Sequence, residues 1–213
     1  MATTRISRAD SKARTRTDLL AAARRVFVRR GFHRASLDEI AEEAGYTKGA
    51  VYSNFRGKDD LFLALLEEHY ALRIAAHRKL MLQLTHEDAE QTARAIARIM
   101  FDAYEREPAW WSLVSDFSTH ASRDPELRRR LRSLRESFLA AMAELIEILG
   151  ARLGLGYSLP AHEIGRAIGA LLRGLMLDWI LEPGDPARAR LFEDAVAAFL
   201  RGAAVPLDER STT

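Results

Sequence analysis

Seven residues between positions 47 and 58 carry groups suited to a polyanion: Thr47, Lys48, Gly49, Tyr52, Ser53, Asn54 and Lys58. Lys48 and Asn54 hold donors able to reach base edges or phosphates, and the hydroxyls of Thr47 and Tyr52 suit phosphate oxygens. Gly49 lets a backbone approach a base closely. Ser53 adds a polar hydroxyl to the same outward face. Lys58, at the start of a following helix, can combine its charge with free backbone amides to hold a phosphate. Each residue also has a plain structural use. Thr47 can serve as a helix cap, Tyr52 can pack its ring, and Lys58 can sit solvated in a first turn. Nucleic-acid contact follows from their being gathered on one helix behind a turn.

The elements that must position them are short and well marked. Ser36 precedes an apolar-periodic run and has Glu39 three residues later, the pattern of a capping box; it also joins the candidate DNA-contacting set. Leu37, Ile40, Ala41 and Ala44 share one helix face. Gly45 falls where the chain must turn and a positive φ is needed. A second short helix, from about Thr47 to Phe55, turns Ala50, Val51 and Phe55 inward. Helix, glycine turn and helix in this order predict a helix-turn-helix, whose second helix enters the DNA major groove.

The stretch 31–62, GFHRASLDEIAEEAGYTKGAVYSNFRGKDDLF, resembles the DNA-binding signature of the TetR family of bacterial transcriptional repressors. The matching elements are Ser36 with Ile40 and Ala41, Gly45, Thr47-Lys48-Gly49, Val51-Tyr52, Phe55, and Lys58 with Leu61-Phe62. The resemblance implies base and phosphate contacts at the same positions. It also implies nine helices, an effector pocket enclosed by helices five to eight, and a dimer formed as a four-helix bundle from the last two helices.

Charge is divided along the 213 residues. Residues 1–58 carry 13 Lys/Arg against 6 Asp/Glu, and residues 59–213 carry 19 against 24, a basic head on an acidic body with a net charge of +2. This is expected if only the head meets phosphate. Arg5, Arg8, Lys12, Arg14 and Arg16 precede or open the first helix, and the first ten or so residues are expected to be disordered when free, either as a solubilising tail or as a basic arm able to enter a minor groove. There is no cysteine, which excludes disulfides and thiolate metal sites. No apolar run approaches a membrane span and no signal-peptide core is evident, so a soluble cytoplasmic protein is expected.

No strand-like alternation or internal repeat is evident, and the fold expected is all-α. The expected domains are an N-terminal three-helix helix-turn-helix domain over 1–60, a C-terminal six-helix effector-binding and dimerisation domain over 61–205, and a disordered tail over 206–213. The first helix is expected from about Ser11 to Arg30, closed by Gly31. A long helix runs from Lys58 to about Leu84, and others near 87–106, 108–121, 125–153, 160–182 and 186–203. The breaks are Thr85 as a cap, Pro108, Asp124-Pro125, Gly154 to Pro160, and Pro183 to Pro186. The last two helices, about 160–182 and 186–203, are the expected homodimer surface. Ile164, Ile168, Leu171, Leu172, Leu175 and Trp179 make one apolar face, with Gly165, Gly169 and Gly174 permitting close approach. Leu191, Ala195, Val196, Phe199 and Leu200 make the other. Burial of both faces within one chain is the alternative.

For the effector pocket the candidate residues are Trp111, Phe117, His120, Phe138, Met142, Arg173 and Trp179, which suit a hydrophobic or amphipathic ligand. No cofactor and no metal are implied. Glu67, Glu68, His69 and His77 lie on one long helix, but consecutive residues face different ways and a solvated helix accounts for them better. No nucleophile–base set or phosphate loop suggests an enzyme. The reading reached is a ligand-responsive regulator, most readily a repressor, on a palindromic double-stranded DNA operator. An architectural DNA-binding protein without an effector is the rival, with an all-helical enzyme behind it.

Overall fold

The computed structural model describes residues 8–83, 88–182 and 184–206. Arg5 of the basic N-terminal segment, Thr85, Pro183 and the tail from residue 207 lie outside them, whereas Arg8, Lys12, Arg14 and Arg16 belong to the first helix, which begins three residues before the expected Ser11. Among the described residues the chain is all-α apart from one small ribbon. The helices are α1 (Arg8–Arg30), α2 (Leu37–Ala44), α3 (Lys48–Asn54), α4 (Lys58–Gln83), α5 (Ala89–Glu105), α6 (Pro108–Ala121), α7 (Pro125–Leu153), α8 (Ala161–Leu181) and α9 (Pro186–Ala203).

Local chemistry sets most of these limits. Gly31 (φ 75°) and Gly45 (φ 74°) take the left-handed conformation that ends α1 and α2. The carboxylate of Asp124 accepts from the amides of Glu126 and Leu127 at 2.7 and 3.0 Å, and that of Asp185 from Ala187 at 2.9 Å. Each is followed by proline at the first helical position, the expected cap-and-proline pair. The cap of α5 is Asp88, which accepts from Glu90 and Gln91, rather than Thr85.

The ribbon corrects the expectation of no strands. β1 (Leu155–Tyr157) pairs antiparallel with β2 (Ala204–Pro206), Gly156 opposite Val205, so Pro206 belongs to a strand and not to the tail. Three-residue strands are too short to show alternation, and their pairing spans about fifty residues of sequence. Tyr157 anchors the ribbon: its hydroxyl donates to Ile146 O at 2.7 Å, and its ring lies where a Cβ at Gly150 would come within 2.7 Å.

The chain divides into two compact units. One comprises the chain up to Tyr70 together with Leu113–Leu131. Its core joins Leu19, Ala23, Val26 and Phe27 of α1 to Ile40 and Ala41 of α2, Val51 of α3 and Leu61, Phe62 and Leu65 of α4. Phe32, Phe62 and Phe117 add an aromatic cluster to it, with Phe62 and Phe117 centroids 4.1 Å apart.

The second unit comprises Ala71–Ser112 and the chain from Arg132 onward. Here α5 presents Ala93, Ile96, Ala97, Met100, Phe101 and Tyr104 to a core shared with Ile168, Leu172, Met176 and Trp179 of α8 and Phe192, Val196 and Ala197 of α9. Salt bridges Arg94–Asp194 (3.0 Å) and Arg98–Glu193 (2.6 Å) border the α5–α9 contact. Much of the expected dimer surface is therefore buried within its own chain: Ile164, Ile168, Leu172, Trp179 and Val196 are core. Gly165 faces Leu139 and Ile146 of α7, whereas Gly174 opens to free space. The apolar residues left outward are Leu177, Leu181 and Leu191, at 64, 72 and 52% exposure. An apolar band wider than a half-turn has two sides, and α5 covers one of them.

Candidate nucleic-acid interface

Helix α3 has seven residues, too few to hold its shape alone, so its presentation depends on what fixes it from outside. Thr47 caps it, its hydroxyl oxygen accepting from Ala50 N at 3.3 Å. Val51 and Phe55, both buried, pin its inner side. The Tyr46 hydroxyl donates to Asp18 at 2.8 Å, tying the turn to α1. Arg16 stacks over the Phe55 ring at 4.5 Å and reaches Asn54 O at 3.4 Å. Arg25 and Arg29 hold Glu43, and Arg30 holds Glu39, which clamp α2 on α1. The Ser36 hydroxyl accepts from Glu39 N at 3.1 Å, half of the expected capping box.

Lys48, Gly49, Tyr52 and Ser53 are exposed on the outer face of α3, with Tyr52 at 54%. A Cβ at Gly49 would meet nothing nearer than the Thr47 hydroxyl at 3.7 Å, so the face is open there. Lys48 is held across the turn by Asp38, with Nζ 2.8 Å from Oδ1. That hydrogen bond, with the attraction of the same carboxylate, pushes the Lys48 ammonium further up, so the charge is secure. To meet a base or phosphate it must leave or share Asp38.

Two candidates are placed differently from the open polar face the sequence suggests. Asn54 is half-buried; its amide donates to Ala50 O at 2.8 Å, and its Oδ1 is buried without a partner. Lys58 is also half-buried. Its ammonium donates to His33 O and Ala35 O, both at 3.0 Å, and lies 4.8 Å from the Phe32 ring centroid, while burial lowers its pKa. It ties the α1–α2 connection to the start of α4. Both side chains would have to be released to reach DNA. Asp38, Tyr46, Asp18 and Arg16 matter to the site and are not evident from spacing, except that Arg16 is visibly basic.

The seven effector candidates do not gather in either unit. Phe117 and His120 belong with the aromatic cluster of the first. Phe117 is fully buried, and His120 Nε2 lies 3.0 Å from Asp59 Oδ1 with its ring 4.9 Å from Phe32. The other five belong to the second unit. Trp111 stacks on Tyr104 at 4.1 Å, and Trp179 meets Phe101 edge-on. Met142 is buried, Phe138 half-buried and Arg173 exposed. An open cleft of about 480 Å³ in this unit lies instead along the ribbon, lined by Glu147, Ala151 and residues 155–161. Among the described residues no three His, Asp or Glu are grouped to hold a metal ion, and no helix is long and apolar enough to cross a membrane.

Two family models match the chain: that of bacterial regulatory proteins of the TetR family over residues 19–65, and that of the BetI-type transcriptional repressor C-terminal region over residues 89–204. The chain is similar to the transcriptional activator FasR of Mycolicibacterium smegmatis, at 33% identity over 62% of this chain and 58% of that one. It thus spans well under two thirds of that relative. It is also similar to the nicotine-responsive repressor HdnoR of Paenarthrobacter nicotinovorans, at 27% identity over 87% of this chain and 93% of that one. In fold it resembles a TetR-family regulator from Mesorhizobium loti, with a TM-score of 0.73, 23% identity, and 91 and 98% of the two chains covered.

Proposed function

The chain belongs to the TetR family of bacterial regulatory proteins, with a helix-turn-helix head and a BetI-type C-terminal region, and we propose that it is a ligand-responsive repressor acting as a homodimer on a palindromic operator. Residues 1–60 would read DNA, and 61–205 would bind the effector and the second copy. The observation that carries this is the outer face of α3: Lys48, Gly49, Tyr52 and Ser53 exposed together on a helix clamped from behind. A pre-set donor array of this kind needs little ordering on contact, so more of the binding free energy remains.

One short helix reads too few base pairs for useful specificity, which is why such readers pair on half-sites about 34–36 Å apart. The outward Leu177, Leu181 and Leu191 support α8 and α9 as the pairing surface. Response to a small hydrophobic or amphipathic effector is supported by the family and by the nicotine-responsive relative. A ligand that binds better when α4 is displaced would alter the spacing of the two heads. By linkage, operator DNA would weaken ligand binding by the same factor.

Selection of bound fragments from a random DNA pool tests the DNA-reading role. Recovery of an inverted repeat is expected, and sequence-blind binding would favour an architectural protein instead. Since FasR is an activator, a reporter carrying the selected site decides the sign of regulation, with repression expected.

A further inference from the structure

Within the second unit one half-buried cation lies against aromatic rings instead of a carboxylate. Arg94, Arg98, Arg166 and Arg188 each hold a carboxylate, and Arg152 a carbonyl. Arg73, in the middle of α4, has none within ion-pairing distance among the described residues. Its guanidinium lies 5.3 and 5.4 Å from the ring centroids of Tyr104 and Trp111, which are themselves stacked at 4.1 Å. Burial lowers its pKa, and the pull of Tyr104 and Glu107 opposes this. Arginine stays charged even so. A half-buried cation with no counter-charge at ion-pairing distance is held at a free-energy disadvantage that an arriving anion would relieve.

One turn along, His77 Nδ1 lies 2.7 Å from Arg73 O. A carbonyl only accepts, so Nδ1 carries the proton and Nε2 is left as an acceptor. Burial holds this imidazole neutral, helped by repulsion from Arg73. The group therefore comprises one planar cation with a fork of donors, one neutral acceptor and two stacked rings. Glu107 is the nearby group that works against an anion. Resting on the regulator reading above, we propose that Arg73 is the anchor of the effector site and that its ligand is a small amphipathic carboxylate. The carboxylate would sit bidentate on the guanidinium, and its apolar body would lie along Trp111, the half-buried ring of the pair.

The test uses the full chain with benzoate and octanoate as probes and benzamide and octanamide as uncharged counterparts. It is read by thermal shift and by the fluorescence of the three tryptophans. At millimolar concentration at least one carboxylate is expected to raise Tm while its amide does not. Arg73→Lys keeps the charge without the fork and is expected to weaken binding about tenfold, and Arg73→Met to abolish it. With no probe present, Arg73→Met is expected to melt at or above the wild-type temperature, because it removes an uncompensated cation. The proposal is overturned if acids and amides act alike, if neither acid binds, or if Arg73→Met responds as wild type does. A marked fall in the Tm of unliganded Arg73→Met also overturns it, by showing that stacking on the rings is what the residue is for. Release of a selected DNA fragment separates the two readings. A carboxylate that binds through Arg73 and leaves DNA affinity unchanged upholds the site and removes its effector role. DNA release by an uncharged ligand alone upholds the regulator and overturns the site.

Discussion

Phe117 offers the sharpest trial of the packing argument, because the sequence places it in an effector pocket and the structure places it in a core. Its side chain is fully buried, with its ring 4.1 Å from that of Phe62 and 5.0 Å from that of Phe32. A phenylalanine buries about 150–200 Å², and at about 25 cal/mol per Å² that is about 4–5 kcal/mol. Truncation of a buried phenylalanine to alanine costs about 3–5 kcal/mol, in agreement. At about 2–4 °C per kcal/mol for a chain of this size, Phe117→Ala should lower Tm by about 6–20 °C. Phe117→Leu, which refills most of the volume, should lose less than half as much. The assay is thermal denaturation by circular dichroism, with tryptophan fluorescence as a second probe of the same transition. DNA binding well below the new Tm should be weakened less than stability is. This placement of Phe117 in a core fails if Phe117→Ala melts within about 3 °C of wild type, roughly the shift that 1 kcal/mol produces. It fails equally if the substitution leaves Tm alone and removes a ligand response, since the ring would then face a ligand.

Lys48→Ala should lower affinity for the selected operator about tenfold or more and relax the sequence preference at one position if Lys48 reads a base; uniform weakening across sequences would assign it to phosphate. Asp38→Asn should act in the opposite direction by releasing Lys48 and removing a negative charge, and fluorescence anisotropy that showed weaker binding would refute the competition inferred between Asp38 and DNA. Replacing Leu177 and Leu181 together by glutamate should turn a dimer into a monomer by sedimentation velocity while leaving the helical circular dichroism intact, and an undisturbed dimer would place the interface elsewhere. Burial lowers the His77 pKa from the usual value near 6.5. Its contribution is therefore fully present above that value, and as pH falls the unfolded chain takes up a proton that the folded chain refuses. Tm should drop between pH 7.5 and 5.5, and His77→Gln should flatten that drop; an unchanged slope would exclude His77 as its source.

How much was legible depended on whether the controlling interaction was near in sequence. Ser36 with Glu39, Gly45, and the aspartates before Pro125 and Pro186 act over two to four residues, so helix limits and the helix-turn-helix could be read from residue types. The ribbon could not, because Gly156 meets Val205 across a long stretch of chain. Lys48 and Asp38 share no helical spacing, and only the turn between α2 and α3 brings them together. Asn54 looks outward on a helical wheel, yet its amide folds back onto Ala50 O. An aromatic residue carries no mark of which core it will join, which is why the sequence groups Phe117 and His120 with Trp111 and Trp179 and the structure separates them. Nothing in the sequence marks Arg73 among 32 lysines and arginines, since what distinguishes it is its place against Tyr104 and Trp111, about thirty to forty residues further along the chain.

By itself the sequence determined the kind of protein: all-α, with a basic head built round a short helix that shows Lys48, Gly49 and Tyr52 to the outside. It could do so because caps, turns and amphipathic period are local properties of a chain. The tertiary structure decided which apolar side of α8 is left for a partner, where Phe117 and His120 pack, and which cation lies against aromatic rings. Burial and ion pairing are properties of a site's whole surroundings, and those surroundings come from helices distant in the chain.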